Sequence, residues 1–161
     1  MKTLIVYATK NGATEKAAKI LGEKLGGADL KNIARDNFDL AAYDRVLVGS
    51  NVRMGTVDRK IRAFLLSQIG ILLQKELGLF LCCCFPKQEQ AYFASNVPSQ
   101  LLEHAKAAAA LGGELDRAKL KGADKLVANM VLKADHTQGI LRTFALESDR
   151  IDAFVEQLEQ N

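Results

Sequence analysis

TLIVYATKNGATEKAAKILGEKLGG, residues 3–27, holds a complete strand, turn and helix. TLIVYA (3–8) is apolar at almost every position, the mark of a strand covered on both faces and hence of a parallel sheet. From Ala13 to Leu25 the apolar residues Ala17, Ile20, Leu21 and Leu25 recur on one helical face, and Gly26–Gly27 stops the helix. Between the two lies Thr9-Lys10-Asn11-Gly12-Ala13-Thr14. It is too polar to extend the strand, and it has a single glycine where dinucleotide-binding turns have three.

A helix entered from such a turn opens with N–H groups that have no partner inside it, so the turn is a natural seat for an anion. Thr9 and Thr14 offer hydroxyl donors, Asn11 an amide, and Gly12 lets the backbone turn tightly against a phosphate. A loop of small donors suits one terminal phosphate better than a pyrophosphate, and the Walker pattern G-x-x-x-x-G-K-[ST] is absent. Taken alone, the hexapeptide is first a polar turn with a helix cap. Its neighbours decide its role.

Outward from this unit, RVLVGS (45–50) and LGLFLCCC (77–84) repeat the all-apolar pattern, and AAAALGG (107–113) is an alanine run ended by two glycines. ADLKNIA (28–34) is a weaker strand. Helical periodicity covers 57–66 through Val57, Ile61, Phe64 and Leu65. Pro98 suits the first turn of a helix carrying Leu101, Leu102 and Ala105. Lys119 to Lys133 aligns Leu126, Val127, Met130 and Val131, and Ser148 is placed to cap a last helix bearing Ile151, Phe154, Val155 and Leu158. Ala134 to Glu147 has little pattern and reads as an extended loop. Alternating strands and helices predict one α/β domain over 1–161: a doubly wound five-stranded parallel sheet in the order 2-1-3-4-5, helices on both faces. Ligands of such sheets bind at the carboxyl ends of the strands, in the crevice where the order reverses, here between strands 1 and 3.

Composition narrows the function classes. At 161 residues with 48% hydrophobic and 25% charged residues, the chain is ordinary globular protein that needs no disulfide or metal staple. MKTLIVYA is too short an apolar run for a signal peptide, and no run approaches the roughly 20 residues that span a bilayer, so a cytoplasmic protein is expected. Cys82, Cys83 and Cys84 are adjacent, and neighbours on a strand point to opposite faces, so they read as small buried hydrophobes rather than bridges or zinc ligands. His104 and His136 lack the paired cysteine, acid or hydroxyl that metal binding or nucleophilic catalysis requires. The net charge of +3 is spread along the chain, favouring anionic partners. No basic stripe or aromatic platform for nucleic acid is present.

Three turns meet at the expected crevice: 9–14, 50–56 and 84–93. T-K-N-G-A-T resembles the flavodoxin phosphate loop [ST]-x-T-G-x-T, with Asn11 where threonine is usual. The variant T-[KR]-[DN]-G-x-T is similar to the flavodoxin-like, menaquinone-dependent protoporphyrinogen oxidases of bacteria. DRVLVGSNVRMGTVDRKIRAFL (44–65) matches that family's D-R-V-x-x-G-x-x-x-R-x-G, with Arg53 and Gly55 in place. A looser match is Gly112–Gly113 followed by DKLVANMVLK. The resemblance covers most of the chain.

That resemblance implies FMN as cofactor, with its phosphate on Thr9, Lys10, Asn11, Gly12, Ala13 and Thr14. Ser50 and Asn51 would meet ribityl or ring polar atoms, and backbone from Val52 to Gly55 the ring edge. Flavodoxins commonly stack a tryptophan here; this chain has none, so Arg53 or Met54 would cover that face. From the third turn, Cys84, Phe85, Lys87 and Tyr92 are site candidates. Tyr92 is the expected stacking aromatic, Phe85 and Phe93 are its rivals, and a short helix sending its aromatics into the core is the alternative. Lys10, Arg53 and Lys87 stand against Glu89, a balance that would favour the reduced, anionic ring and raise its potential. The expected function is then oxidation of an anionic porphyrinogen with electrons passed to a quinone, at most in peripheral contact with the inner face of a membrane. The alternatives are an electron carrier docking to a redox partner and a cofactor-free binding domain.

Overall fold

The computed structural model describes residues 1–113, Gly122, Leu126 and 145–160. Strands β1 (Thr3–Ala8), β2 (Asp29–Asn32), β3 (Arg45–Arg53), β5 (Glu76–Cys82) and β6 (Ala107–Ala110) form a parallel sheet in the order β2-β1-β3-β5-β6. A short β4 (Thr56–Val57) folds back antiparallel on β3. Without β4 this is the 2-1-3-4-5 order expected from the sequence. The alanines of β6 favour helix by themselves, but pairing with β5 (Gly78↔Ala107 to Leu81↔Ala110) overrides that preference.

The all-apolar strands are covered on both faces. One core joins Leu4, Val6, Val48 and Leu79 to Ile61 and Leu65 of α2 (Arg59–Ser67), Phe93 of α4 (Glu89–Asn96) and Leu101 of α5 (Ser99–His104). The other joins Ile5, Tyr7, Leu47 and Phe80 to Ala17 and Leu21 of α1 (Ala13–Lys24) and Phe154 and Leu158 of α6 (Ser148–Glu159). Period-2 alternation sends neighbouring residues of each strand to opposite cores. Gly49 leaves the room Phe80 occupies, because a Cβ there would land on the Phe80 ring. Phe80 in turn meets Phe154 edge to face at 6.2 Å.

Several boundaries differ from the sequence reading for local reasons. Val57 belongs to β4, and α2 starts only at Arg59, because the Asp58 carboxylate accepts the N–H groups of Lys60 (2.8 Å) and Ile61 (3.4 Å) as its cap. An unanticipated single turn, α3 (Ile69–Leu72), follows it. Ser148 does not cap α6: it is the first helical residue, with Glu147 in the cap position and no side-chain cap bond. The Gly26–Gly27 stop is as expected, with Gly27 donating its N–H to Gly22 O at 2.8 Å and both glycines at positive φ. All but Gly122 and Leu126 of the helix expected over 119–133, most of the loop expected over 134–147, and His136 lie outside the described residues.

The strand-start end of the sheet is closed by ion pairs. Arg45, 6% exposed, pairs with Glu76 and with Glu159 at 2.7 Å, and Lys106 reaches Glu76 at 3.2 Å. His104 belongs to this end, its Nε2 2.8 Å from Lys75 O.

Candidate functional site

Register brings the three turns to one edge of the sheet. Ala8 lies beside Ser50 and Asn51 beside Cys82, so the turn after β1, the end of β3 and the turn after β5 leave the sheet side by side. The three turns therefore leave the sheet at its carboxyl end, where the crevice between strands 1 and 3 is expected.

In the first turn Gly12 has φ +88 and donates its N–H to Thr9 Oγ1 at 3.0 Å. Gly12 O then accepts from Lys16 N at 3.0 Å, which starts α1. No side chain caps this helix. Lys10 and Asn11 are exposed and Ala13 is buried. Thr14 is completely buried, and its hydroxyl has no hydrogen-bond partner. Leaving a buried hydroxyl unmatched costs about 1–3 kcal/mol.

The second turn is a hairpin rather than a loop. β3 runs on through Arg53, Val52 faces Val57 and Arg53 faces Thr56 across the pair, and Met54–Gly55 makes the reversal. Both turn residues have positive φ, +50 and +75, the two-residue geometry that fits strand twist. Met54 is 77% exposed. Ser50, 1% exposed, has its hydroxyl occupied within the protein: it donates to Asn51 O and accepts from Asp58 N, both at 2.9 Å. Asn51 Oδ1 is buried and unpartnered. Thr14 Oγ1 and Asn51 Oδ1 are the unmatched buried side-chain polar atoms among the described residues, and both stand at this edge.

One residue that sequence reading passed over holds the hairpin in place. Asn96, 6% exposed at the end of α4, donates from Nδ2 to Gly55 O and Tyr92 O, both at 2.8 Å, and accepts Val57 N–H on Oδ1 at 3.1 Å. An asparagine in SNVPS carries no periodic or motif signal. Its role needs the tertiary contact between α4 and the hairpin.

The third turn runs from half-buried Cys84 and Phe85 through the single turn Pro86–Gln88, with Lys87 exposed, into α4. Phe93 is 4% exposed and packs in the core, which removes it as a rival to Tyr92 and makes the core-helix alternative right for that residue. Tyr92 is half-buried and donates its hydroxyl to Gln88 Oε1 at 3.1 Å. Burial pushes the Cys83 thiol up to about 11 and raises Cys84. Tyr92 is raised by burial first, then by those two neighbouring sulfurs. At neutral pH all three are uncharged.

Among the described residues the three turns supply the cations Lys10, Arg53 and Lys87, and the third turn also supplies Glu89, whose Oε2 accepts from Ala110 N at 2.7 Å and Arg150 Nη1 at 3.1 Å. The Glu89–Arg150 pair ties the third turn to the start of α6, a connection over 61 residues that sequence spacing cannot reveal. No group of three or more metal-ligating side chains occurs among the described residues.

Residues 4–139 match the family model described as "Flavodoxin domain". No curated protein matches the sequence. Among solved structures, oxidised flavodoxin 1 from Bacillus cereus is 15% identical with a TM-score of 0.57, the alignment covering 98% of this chain and 95% of that one. A flavoprotein in complex with FMN from Lactobacillus acidophilus is 21% identical with a TM-score of 0.50, over 73% and 95% of the two chains. Rubredoxin oxygen:oxidoreductase from Desulfovibrio gigas is 18% identical with a TM-score of 0.55; 84% of this chain aligns with only 37% of that protein's length.

Proposed function

The chain belongs to the flavodoxin-domain family, and from that premise we propose that its three turns bind FMN and that it works as a redox flavoprotein. The observation that carries this is the pair of orphaned polar atoms, Thr14 Oγ1 and Asn51 Oδ1, at the one edge where three turns meet. They fit the group chemically: a hydroxyl at an uncapped helix start donates to a phosphate, and an amide oxygen accepts from a polyol hydroxyl or a ring N–H.

FMN, when bound, supplies electron transfer through its isoalloxazine ring; the protein supplies binding, orientation and field. Thr9, Lys10, Asn11, Gly12, Ala13 and Thr14 hold the phosphate. Asn51 and the backbone from Val52 to Gly55 serve the ribityl chain and ring edge, with Ser50 bracing the hairpin from beneath. Arg53 or Met54 would cover one ring face, and Tyr92 or Phe85, beside Cys84, the other. Lys10, Arg53 and Lys87 favour negative charge on the bound group, since a unit charge about 4 Å from an anion contributes on the order of 4 kcal/mol at an effective dielectric of 20 before desolvation. That raises the potential and suits oxidation of a substrate.

The finer reading is oxidation of an anionic porphyrinogen with electrons passed to menaquinone, supported by the motif resemblance at 9–14 and 44–65. The coarser reading, electron transfer to a redox partner, is supported by family membership. Titration with FMN tests the premise: the complex should be yellow with quenched flavin fluorescence, and a protein that leaves FMN fluorescence unchanged overturns it. Anaerobic turnover of protoporphyrinogen with a menaquinone analogue separates the two readings. A rate no higher than that of free FMN leaves the electron carrier.

A further inference from the structure

The run RKIRAFLLSQIGILLQK, residues 59–75, contains four cationic residues and no carboxylate. It forms α2 and α3 on the outside of the first core. Ile61 and Leu65 are buried, and Phe64 is held edge to face on Phe38 at 5.8 Å, which fixes how α2 is rolled against the sheet. The outward stripe is then Arg59, Arg62, Ala63 and Leu66, all exposed, at the i, i+3, i+4, i+7 spacing that makes one helical face. Leu66 is 57% exposed, Ile71 on α3 42%, and Leu73 just beyond it 36%.

The carboxylates that bracket the run are occupied elsewhere. Asp58 caps α2, and Glu76 is paired with Arg45 and Lys106. Neither Arg59 nor Arg62 has an ion pair among the described residues. Lys60 and Lys75 reach backbone carbonyls, of Ala34 at 3.5 Å and Tyr43 at 2.7 Å, and neither has a carboxylate partner among the described residues. The result is a continuous stretch of chain that combines exposed leucine and isoleucine with four cations that have no carboxylate partner among the described residues.

We propose that α2 and α3 form a docking surface for an anionic phospholipid bilayer. Charge complementarity selects this occupant: arginines beside apolar side chains, with no acid to offer a partner's bases, match a surface that is diffusely negative above and apolar beneath. No helix among the described residues is long and apolar enough to cross a membrane, so the contact is peripheral. The inference stands independently of FMN binding. It names the surface through which the membrane contact considered above would be made.

Co-sedimentation of the whole protein with vesicles of phosphatidylglycerol and phosphatidylcholine tests it, against phosphatidylcholine alone. Binding is expected only to the anionic vesicles, weakening as salt is raised. Arg59→Ser with Arg62→Ser should reduce vesicle affinity about tenfold or more. Leu66→Ser with Ile71→Ser should reduce it while leaving the salt dependence in place. These side chains are exposed, so unchanged thermal unfolding of each variant confirms that the fold is kept. Absence of binding to anionic vesicles overturns the proposal, as does binding that neither double variant weakens. Self-association abolished by Leu66→Ser would overturn it too, assigning the patch to a second copy of this chain.

Discussion

Thr14 is the residue on which structure and proposed function bear in opposite directions. Without a ligand its buried hydroxyl is an unsatisfied group, a cost; opposite a phosphate it becomes a charge-assisted donor, a gain. Thr14→Val keeps the branched shape and removes the hydroxyl. The apoprotein should therefore become more stable, by on the order of 1 kcal/mol, while FMN binding weakens by about 1.5–3 kcal/mol, roughly tenfold to a hundredfold in Kd. Chemical denaturation of the apoprotein and fluorescence titration with FMN read the two effects separately. A destabilised apoprotein with unchanged FMN affinity would make Thr14 a packing residue only. The sequence pointed to Thr14 as a hydroxyl donor in the first turn and as the last position of a pattern that resembles the flavodoxin phosphate loop. It could not show that the hydroxyl is buried and orphaned, which depends on the α1 turn packing against the sheet.

At the scale of elements, the hairpin β3–β4 separates what patterning reveals from what only packing decides. RVLVGS announced the strand, but its extension to Arg53 was hidden: SNVR is polar, and polar residues at a strand end read as loop. Met54–Gly55 carried no usual signal either, since Asn-Gly is the preferred pair where both residues take positive φ. Met54→Asn should stabilise the protein by roughly 0.5–1 kcal/mol by easing the left-handed residue, measured as a rise in Tm. Asn96→Ala should act the other way, leaving Gly55 O and Val57 N–H without their partner and costing about 1–3 kcal/mol. Amide hydrogen exchange would locate that loss at residues 52–57; protection there equal to that of the unsubstituted protein would count against Asn96 as the clamp. Strand interiors were the most legible elements, because β1, β3 and β5 are apolar on both faces. Gly49 was not legible as a packing residue, yet Gly49→Ala would drive a methyl into the Phe80 ring and cost about 1–3 kcal/mol or more.

For the whole molecule, topology followed from the alternation of apolar runs and amphipathic helices, and strand order from the fold class those imply. The site was legible as three turns in sequence, since strands 1, 3 and 5 are neighbours only if the order reverses at β1. What stayed hidden were pairings across long separations, Glu89 with Arg150 and Arg45 with Glu159, because an ion pair leaves no local periodicity. The same burial that builds the two cores sets a pH limit. Cys83 and Cys84 are raised by burial, Tyr7 and Tyr92 chiefly by burial, and Tyr43 chiefly by the hydrogen bond it donates to Asp29. Each is neutral when protonated, so the folded chain holds its proton where the unfolded chain has released it. For Cys83, with an unfolded value of 9.0 and a folded value of about 11, the stabilising contribution is complete below pH 9.0 and is lost as pH rises through about 11. That interval corresponds to on the order of 3 kcal/mol for this thiol alone, and the tyrosines add in the same direction. Urea denaturation from pH 8 to 11 should thus show stability falling steadily above pH 9, with a shallower fall in Cys83→Ala. A slope unchanged by that substitution would move the effect from Cys83 to the tyrosines.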